Sequence, residues 1–384
     1  MEGVVSTPGT PATGAFSERV GAAFAGRRVL VTGHTGFKGS WLALWLTDLG
    51  AQVTGLALER LPTRPSHFEL VRLDELVADR RGDVRRLADV HDAFVASRPE
   101  IVFHLAAQAL VRPSYADPKA TLDTNIGGTV NVLEAVRTSA TVRACVVVTS
   151  DKCYENRERA QGYREDEAMG GHDPYSASKG ACELVCAAYR RSFFARAGLG
   201  PHRGLATARS GNVIAGGDWG AERLIPDCVR AWSAEEPVRI RHPQATRPWM
   251  HALDPLAGYL TLAAYLTEAA ERFAGPWNFG PDEPEWTVDR VARAAGERWG
   301  GGRALIEASN EPLHEATLLR LDATKAAERL GWAPVWDTER AIAETMRWYR
   351  AWHEGGGDLR ALSRAQIAAH TVDRDRRAVA MDGS

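Results

Sequence analysis

The sequence predicts an α/β protein built on a parallel, doubly wound sheet with a smaller C-terminal lobe, and three observations carry that prediction. Arg28-Val-Leu-Val-Thr32 is a β-branched run that leads through Gly33-x-x-Gly36-x-x-Gly39 into an amphipathic stretch. Further short apolar runs follow at Gln52–Leu58, Ile101–Leu105 and Ala144–Thr149. Polar stretches with helical spacing separate them, and strands that alternate with helices pair in parallel. The arrangement is Rossmann-like, with ligands expected at the carboxyl ends of the strands, where Gly33, Ala106 and Ser150 converge.

The elements follow in order. Met1–Ala25 is rich in Gly, Ala, Ser, Thr and Pro and lacks the basic start and apolar core of a signal peptide, so residues 1–25 are expected to be a flexible leader. Residues 26–212 are expected to form mainly the dinucleotide-binding domain. Within it, Ser40–Leu49 places Trp41, Leu44, Trp45 and Leu49 on one helical stripe that stops at Gly50. Residues 213–355 loosen into Gly/Pro/Trp-rich loops with short helices. Loops dense in Arg, His and aromatics beside an α/β core suit a substrate-binding lobe. His370–Ser384 is mostly charged or small without an apolar period, so 356–384 is expected to be a partly disordered tail.

Composition removes several classes of function. The 47 basic residues against 49 acidic ones leave a formal charge of −2 with no run of like charge, which disfavours nucleic acid as a partner. The longest apolar stretches fall short of a membrane span; Trp41–Leu49 is broken by Thr47 and Asp48. Cys145, Cys153, Cys182, Cys186 and Cys228 are an odd number without CxxC or Cys/His spacing. Neither a disulfide framework nor a metal site is indicated, and a soluble protein of a reducing cytoplasm is expected.

The chemistry lies in a few patterns. Glycines spaced as at Gly33, Gly36 and Gly39 let a backbone approach a pyrophosphate, which the first N–H groups of the following helix then face. Downstream, Tyr175 and Lys179 stand one helical turn apart behind Pro174, a natural first-turn residue. A tyrosine whose phenol is made more acidic by Lys179 and by a positive nicotinamide can take a hydroxyl proton. Ser150-Asp151-Lys152 ends a strand and should project into the crevice. A carboxyl there suggests a second acid/base step, although Ser-Asp is also a common capping turn.

The cofactor type stays open at this stage. No acid follows the second strand to hold a ribose, where Leu56-Ala57-Leu58 runs into Glu59 and Arg60, and an arginine could instead meet a 2′-phosphate. NAD is favoured, with NADP not excluded. Asp83 in Gly82-Asp83-Val84 is placed either to meet the adenine edge or simply to make a surface turn. Arg223 and Arg247 are candidate diphosphate clamps, because a guanidinium fork matches two phosphate oxygens. Cys182 and Cys186 share a helix face and read as packing.

Several segments together resemble the extended short-chain dehydrogenase/reductases that modify nucleotide sugars, and among these the CDP-glucose 4,6-dehydratases. They are Val31-Thr-Gly-His-Thr-Gly-Phe-Lys-Gly-Ser-Trp41, His104-Leu-Ala-Ala-Gln108, Thr124-Asn-Ile-Gly-Gly-Thr129, Thr149-Ser-Asp-Lys-Cys-Tyr154, Arg209-Ser-Gly-Asn212, Arg247-Pro-Trp249, and Leu321-Asp322 with Lys325 before Leu330-Gly-Trp332. The resemblance covers roughly residues 26–353. It implies a redox-neutral dehydration of CDP-glucose or another nucleotide hexose. Tyr175, with Lys179 and Ser150, takes the C4 hydroxyl proton, Asp151 protonates the departing C6 hydroxyl, and Asn125 orders the site through backbone and water contacts. Lys152 stands where related dTDP-glucose enzymes carry a glutamate base, and it can act as the C5 base or as a cation on the enolate. Cofactor contacts are implied for Gly33, Thr35, Gly36, Phe37, Gly39, Asp83, Val84, Leu105, Ala106, Ala107, Tyr175 and Lys179. Substrate contacts are implied for Gln108, Ser114, Asn212, Arg223, Leu224, Arg247 and His314. A homodimer is expected. The alternatives are a sugar-nucleotide 4-epimerase or reductase, and a cofactor-binding protein without turnover.

Overall fold

The computed structural model describes residues 15–194, 203–307, 318–355 and 357–382. Seven strands form one all-parallel sheet: β1 (Arg28–Thr32), β2 (Gln52–Ala57), β3 (Ala78–Arg81), β4 (Ile101–His104), β5 (Ala144–Val148), β6 (Gly204–Ser210) and β7 (Gly275–Phe279). Their order is β7-β6-β5-β4-β1-β2-β3. The chain leaves β1 toward β2 and returns on its other side at β4, so a crevice opens above β1. Thr32 pairs with both Leu56 and His104, which sets the ends of these three strands level.

Burial explains the composition of the strands. β4 and β5 are buried at every position, as continuous Val, Ile and Phe runs between two helical layers must be. β3 is the edge strand, only half covered, and can therefore be polar. The helix Phe37–Asp48 departs from the expected single stripe and is buried on all sides from Gly39 to Leu46. The cause is the C-terminal segment, which is not a disordered tail. Leu359–Asp382 is a helix lying against this one, with Ser363, Gln366, His370 and Arg374 buried.

That helix escapes an apolar-period search because its inward stripe is largely polar and each polar group has a distant partner. His67 bridges Ser40 Oγ at 2.9 Å and Ser363 Oγ at 3.2 Å while stacking on Trp41 at 4.5 Å. His370 Nε2 is 3.0 Å from Asp254 Oδ1, and Arg374 donates to the same oxygen at 3.3 Å. The leader expectation fails in the same place. Phe16–Phe24 is a helix that buries Phe16, Val20 and Phe24, and Ser17 N donates to Asp375. Residues 1–14 lie outside the described residues.

The region after Asn212 is tied into the sheet rather than set apart from it. It supplies β7, and the helix Leu253–Glu268, buried from Leu253 to Leu266, packs on β5 and β6. Short pairs knit its loops: Val213–Ile214 with Met250–His251, Thr246–Arg247 with Trp286–Thr287, and Val238–Ile240 with Ala304–Ile306. Among the described residues, no helix is long and apolar enough to cross a membrane.

Candidate active site

The glycine turn is fixed by its own packing. Gly33 has φ +75°, and a Cβ there would stand 2.7 Å from the backbone nitrogen of Ala106. A Cβ on Gly39 would stand 2.1 Å from the Gly33 carbonyl oxygen. Gly36 then opens the helix with no capping side chain, so its first N–H groups are left for anionic oxygens. Thr35 is buried in this turn, and Phe37 packs against the core. Leu105, Ala106 and Ala107 follow β4, with Ala106 N donating to Thr32 Oγ1 at 3.2 Å. These features fit a dinucleotide.

Toward β3 the surroundings become more polar. Val84 is buried, its carbonyl accepting from Asn131 Nδ2 at 2.9 Å. The Asp83 carboxylate is held below the usual range mainly by hydrogen bonds from Arg85. After β2, Leu58, Glu59 and Arg60 are exposed. The carboxylate of Asp79 faces this edge from β3, bound to His34 at 2.8 Å and to Arg81 at 2.6 Å.

Tyr175 and Lys179 lie on the helix Pro174–Tyr189. Asp173 caps it, accepting from Ser176 N at 2.9 Å, and Pro174 occupies its first turn. Tyr175 N donates to Ser114 Oγ at 3.2 Å. Asn125, buried in a π-helical turn, donates to Ser178 Oγ at 2.8 Å and closes a two-way bond with the Gln108 backbone. Thus the loop after β4 is joined to the turn carrying Tyr175. Two of these bonds are to backbone atoms of Gln108, and the third is to a side-chain hydroxyl.

Lys179 Nζ donates to the Val148 carbonyl at 3.3 Å and lies 6.0 Å from the Tyr175 ring centre. Burial lowers its pKa. Burial pushes the phenol of Tyr175 up to about 12, with the Ser150 hydrogen bond and Arg223 opposing and Asp151 adding. The protein alone therefore keeps Tyr175 protonated.

At the end of β5 Ser150 makes the capping turn. Its hydroxyl accepts from Lys152 N at 3.2 Å, capping the turn Asp151–Cys153, and donates to Asp151 Oδ1 at 2.8 Å. Asp151 is buried, and Lys152 Nζ, partly exposed, is 3.9 Å away. Gly211 passes close to the other carboxyl oxygen, where a Cβ would stand at 3.1 Å.

Several polar positions beside these residues escaped the sequence reading. Lys38 reaches from the glycine-turn helix to Ser210 Oγ at 3.2 Å, and Ser210 in turn is 2.9 Å from the Tyr259 hydroxyl. Glu183, on the helix that carries Tyr175, is buried and accepts from Thr149, Thr207 and Arg209. Arg209 also donates to Tyr154 at 2.6 Å. This buried cluster pins the Tyr175 helix to the end of β5 and to β6. Its one sequence signal was the four-residue step from Lys179 to Glu183.

The substrate candidates divide. Arg223 pairs with Asp218 at 2.7 Å, its charge is felt at Tyr175, and Leu224 starts the helix beside it. Asn212 accepts Met250 N through its carbonyl, and Arg247 sits opposite Trp286 in its short strand pair. The Gln108 amide is spent on Leu110 and Thr121, and the Ser114 hydroxyl on Val111 and Tyr175, so these two hold loops in place. His314 lies outside the described residues.

Comparison with known proteins adds to this geometry. Residues 30–271 match the family model described as GDP-mannose 4,6 dehydratase. A CDP-glucose 4,6-dehydratase of Salmonella typhimurium is 48% identical over 346 residues, covering 89% of this chain and 96% of that protein. A dTDP-glucose 4,6-dehydratase of Streptomyces griseus is 28% identical, covering 85% of this chain and 96% of its own length. Among solved structures, a dTDP-glucose 4,6-dehydratase of Streptomyces venezuelae with NAD bound superposes at a TM-score of 0.72 with 23% identity, covering 86% of this chain and 99% of that one. At that identity the likeness speaks for the fold.

Proposed function

The chain belongs to the GDP-mannose 4,6 dehydratase family, and we propose that it converts CDP-glucose to CDP-4-keto-6-deoxyglucose with NAD as its resident cofactor. Similarity to the Salmonella enzyme supports the substrate, and the NAD in the Streptomyces structure supports the cofactor. Gly33, Gly36, Gly39 and the Leu105-Ala106-Ala107 segment hold the dinucleotide. Val84 and Asp83 meet its adenosine end.

When bound, NAD accepts hydride from sugar C4 and later returns it to C6. Tyr175 takes the C4 hydroxyl proton, with Ser150 hydrogen-bonded to the phenol and Lys179 offsetting the charge that forms. Burial raises the phenol pKa to about 12, so positive charge added in the crevice favours this transfer. The C4 ketone then acidifies the C5 proton, and Asp151 gives its proton to the C6 hydroxyl, which leaves as water. Lys152, beside Asp151, serves the C5 step as base or as the enolate's counter-cation. A Lys152→Met variant still able to exchange the C5 hydrogen with solvent removes it from the mechanism.

One observation carries the reading: a second acid, Asp151, is buried and bonded to Ser150 beside the phenol. Hydride transfer alone needs a single proton acceptor; loss of water needs this additional donor. The free, buried cysteines fit a cytoplasmic enzyme, and exposed Leu184 and Phe193 fit a face through which two copies pair.

The test is mass spectrometry of incubations with NAD and CDP-, UDP- or dTDP-glucose. The expected product is one water lighter and forms fastest from the CDP sugar. Equal rates with all three remove cytidine from the assignment, and unchanged masses overturn dehydration.

A further inference from the structure

The turn Asp151–Cys153 is fastened at both ends to one buried ion pair. At its entrance Thr149 donates its hydroxyl to Glu183. At its exit the Tyr154 hydroxyl accepts from Arg209 Nη1 at 2.6 Å and donates to Asn278 Oδ1, on β7, at 2.8 Å. Arg209 in turn donates to Glu183 Oε2 at 2.7 Å, and Thr207 donates to the same oxygen at 2.7 Å. Burial raises the Tyr154 pKa, so this hydroxyl keeps the proton it donates. Glu183 shares its helix with Tyr175 and Lys179. The pair therefore joins the helix of the proposed base to the turn of the proposed acid.

The two sides of this junction are not equally braced. Tyr175 and Lys179 have anchors of their own: Ser114 on the Tyr175 backbone, Asn125 on Ser178, and the Val148 carbonyl at the Lys179 ammonium. The Asp151 carboxyl is bonded to Ser150 Oγ at 2.8 Å and lies 3.9 Å from Lys152 Nζ. Both partners belong to its own turn or to the cap of that turn, so the carboxyl goes where the turn goes.

We propose that Glu183 and Arg209 are positioning residues for the loss of water, acting through the Thr149 and Tyr154 hydroxyls to hold the Asp151 turn in register with the helix of Tyr175. The inference rests on the dehydratase reading of this crevice, in which oxidation at C4 uses Tyr175 and elimination uses Asp151. Displacing a reacting group by about 1 Å costs about a hundredfold in rate. A slack turn therefore penalises the elimination, while hydride transfer relies on groups that are anchored separately.

Two variants loosen the turn without removing the ion pair. Tyr154→Phe takes one hydroxyl from its exit, and Arg209 keeps Glu183 and the Glu165 carbonyl at 3.3 Å. Thr149→Val takes the other from its entrance and preserves the β-branched shape. Each purified full chain is mixed with NAD and CDP-glucose in a single turnover. The absorbance of reduced nicotinamide rises with oxidation at C4 and falls as hydride returns after water is lost. The rise should stay within about twofold of the parent, and the fall should slow about ten- to hundredfold in Tyr154→Phe and less in Thr149→Val, so that reduced nicotinamide accumulates. Tyr189→Phe, which removes a hydroxyl bonded to Glu134 at 2.6 Å from the same helix, should leave both phases unchanged. Equal slowing of the two phases, the mark of a merely structural role, overturns the proposal, as does a fall at the parent rate in both variants. If Tyr154→Phe does not fold, Thr149→Val decides by the same two phases. A parent chain that takes up hydride but releases no water sinks the dehydratase reading, and the inference with it; a dehydrating parent whose variants keep the two phases together sinks the inference alone.

Discussion

At the β5–β6 end of the crevice, Ser150, Asp151, Tyr175 and Lys179 are withdrawn from water, whereas at the β2–β3 end Glu59 and Arg60 are exposed and Asp83 pairs with Arg85 near the surface. At the first end burial is the leading cause that raises the pKa of Tyr175 and lowers that of Lys179. At the second, the leading effect on Asp83 is a hydrogen bond from its neighbouring arginine. Desolvation gives each charge at the chemical end a long reach, and solvent screens those at the adenosine end. On the proposed reading, proton transfers are set by the first end, while the second affects only how a nucleotide is held.

The largest expected difference between the two ends is catalytic. Tyr175→Phe removes the proton acceptor, and kcat should fall by about 10²- to 10⁴-fold with little change in melting temperature. A rate within tenfold of the parent enzyme would place the base elsewhere.

Stability separates the ends next. Arg209→Met leaves the Glu183 carboxylate buried without its cation and should cost about 3–5 kcal/mol in urea unfolding. Arg81→Ala, at the partly exposed Asp79 pair, should cost about 0–1 kcal/mol. Burial alone would raise the Glu183 pKa, but Arg209 and the hydroxyls of Thr149 and Thr207 outweigh it and lower the value. A carboxylate with a depressed folded pKa stabilises the fold above its unfolded value of 4.5, and that contribution is lost as pH falls through the folded value. The acid limb of an unfolding curve should therefore be steep below that point and shallower in Glu183→Gln. The smallest effect belongs to Arg60. Arg60→Ala should leave NAD affinity within about twofold and weaken NADP more, since only the latter carries a 2′-phosphate.

What the sequence made visible follows the same division between apolar and polar burial. β1, β2, β4 and β5 were legible as apolar runs, as were the glycine turn and the Tyr175/Lys179 step. β6 was not, because Thr207, Arg209 and Ser210 are buried there against partners elsewhere in the chain. β3, Ala78-Asp-Arg-Arg81, is an edge strand without apolar alternation. The helix Leu359–Asp382 was concealed by its polar inward stripe, satisfied by His67, Asp254 and Glu344. Lys38 sat inside a motif that was recognised, but the direction of its side chain depends on Ser210, 172 residues away. Pattern rules equate burial with apolarity; they fail where a distant group supplies the missing hydrogen bond.

Single-turnover mixing of Asp151→Asn with NAD and CDP-glucose tests the central claim, that base and acid act in succession on one hexose edge, most directly. With Tyr175 intact and the acid removed, the absorbance of reduced nicotinamide should rise and persist while the sugar nucleotide loses no water. Dehydration at the parent rate would contradict the role of Asp151, and absence of any hydride uptake would show that the two groups do not act in separate steps.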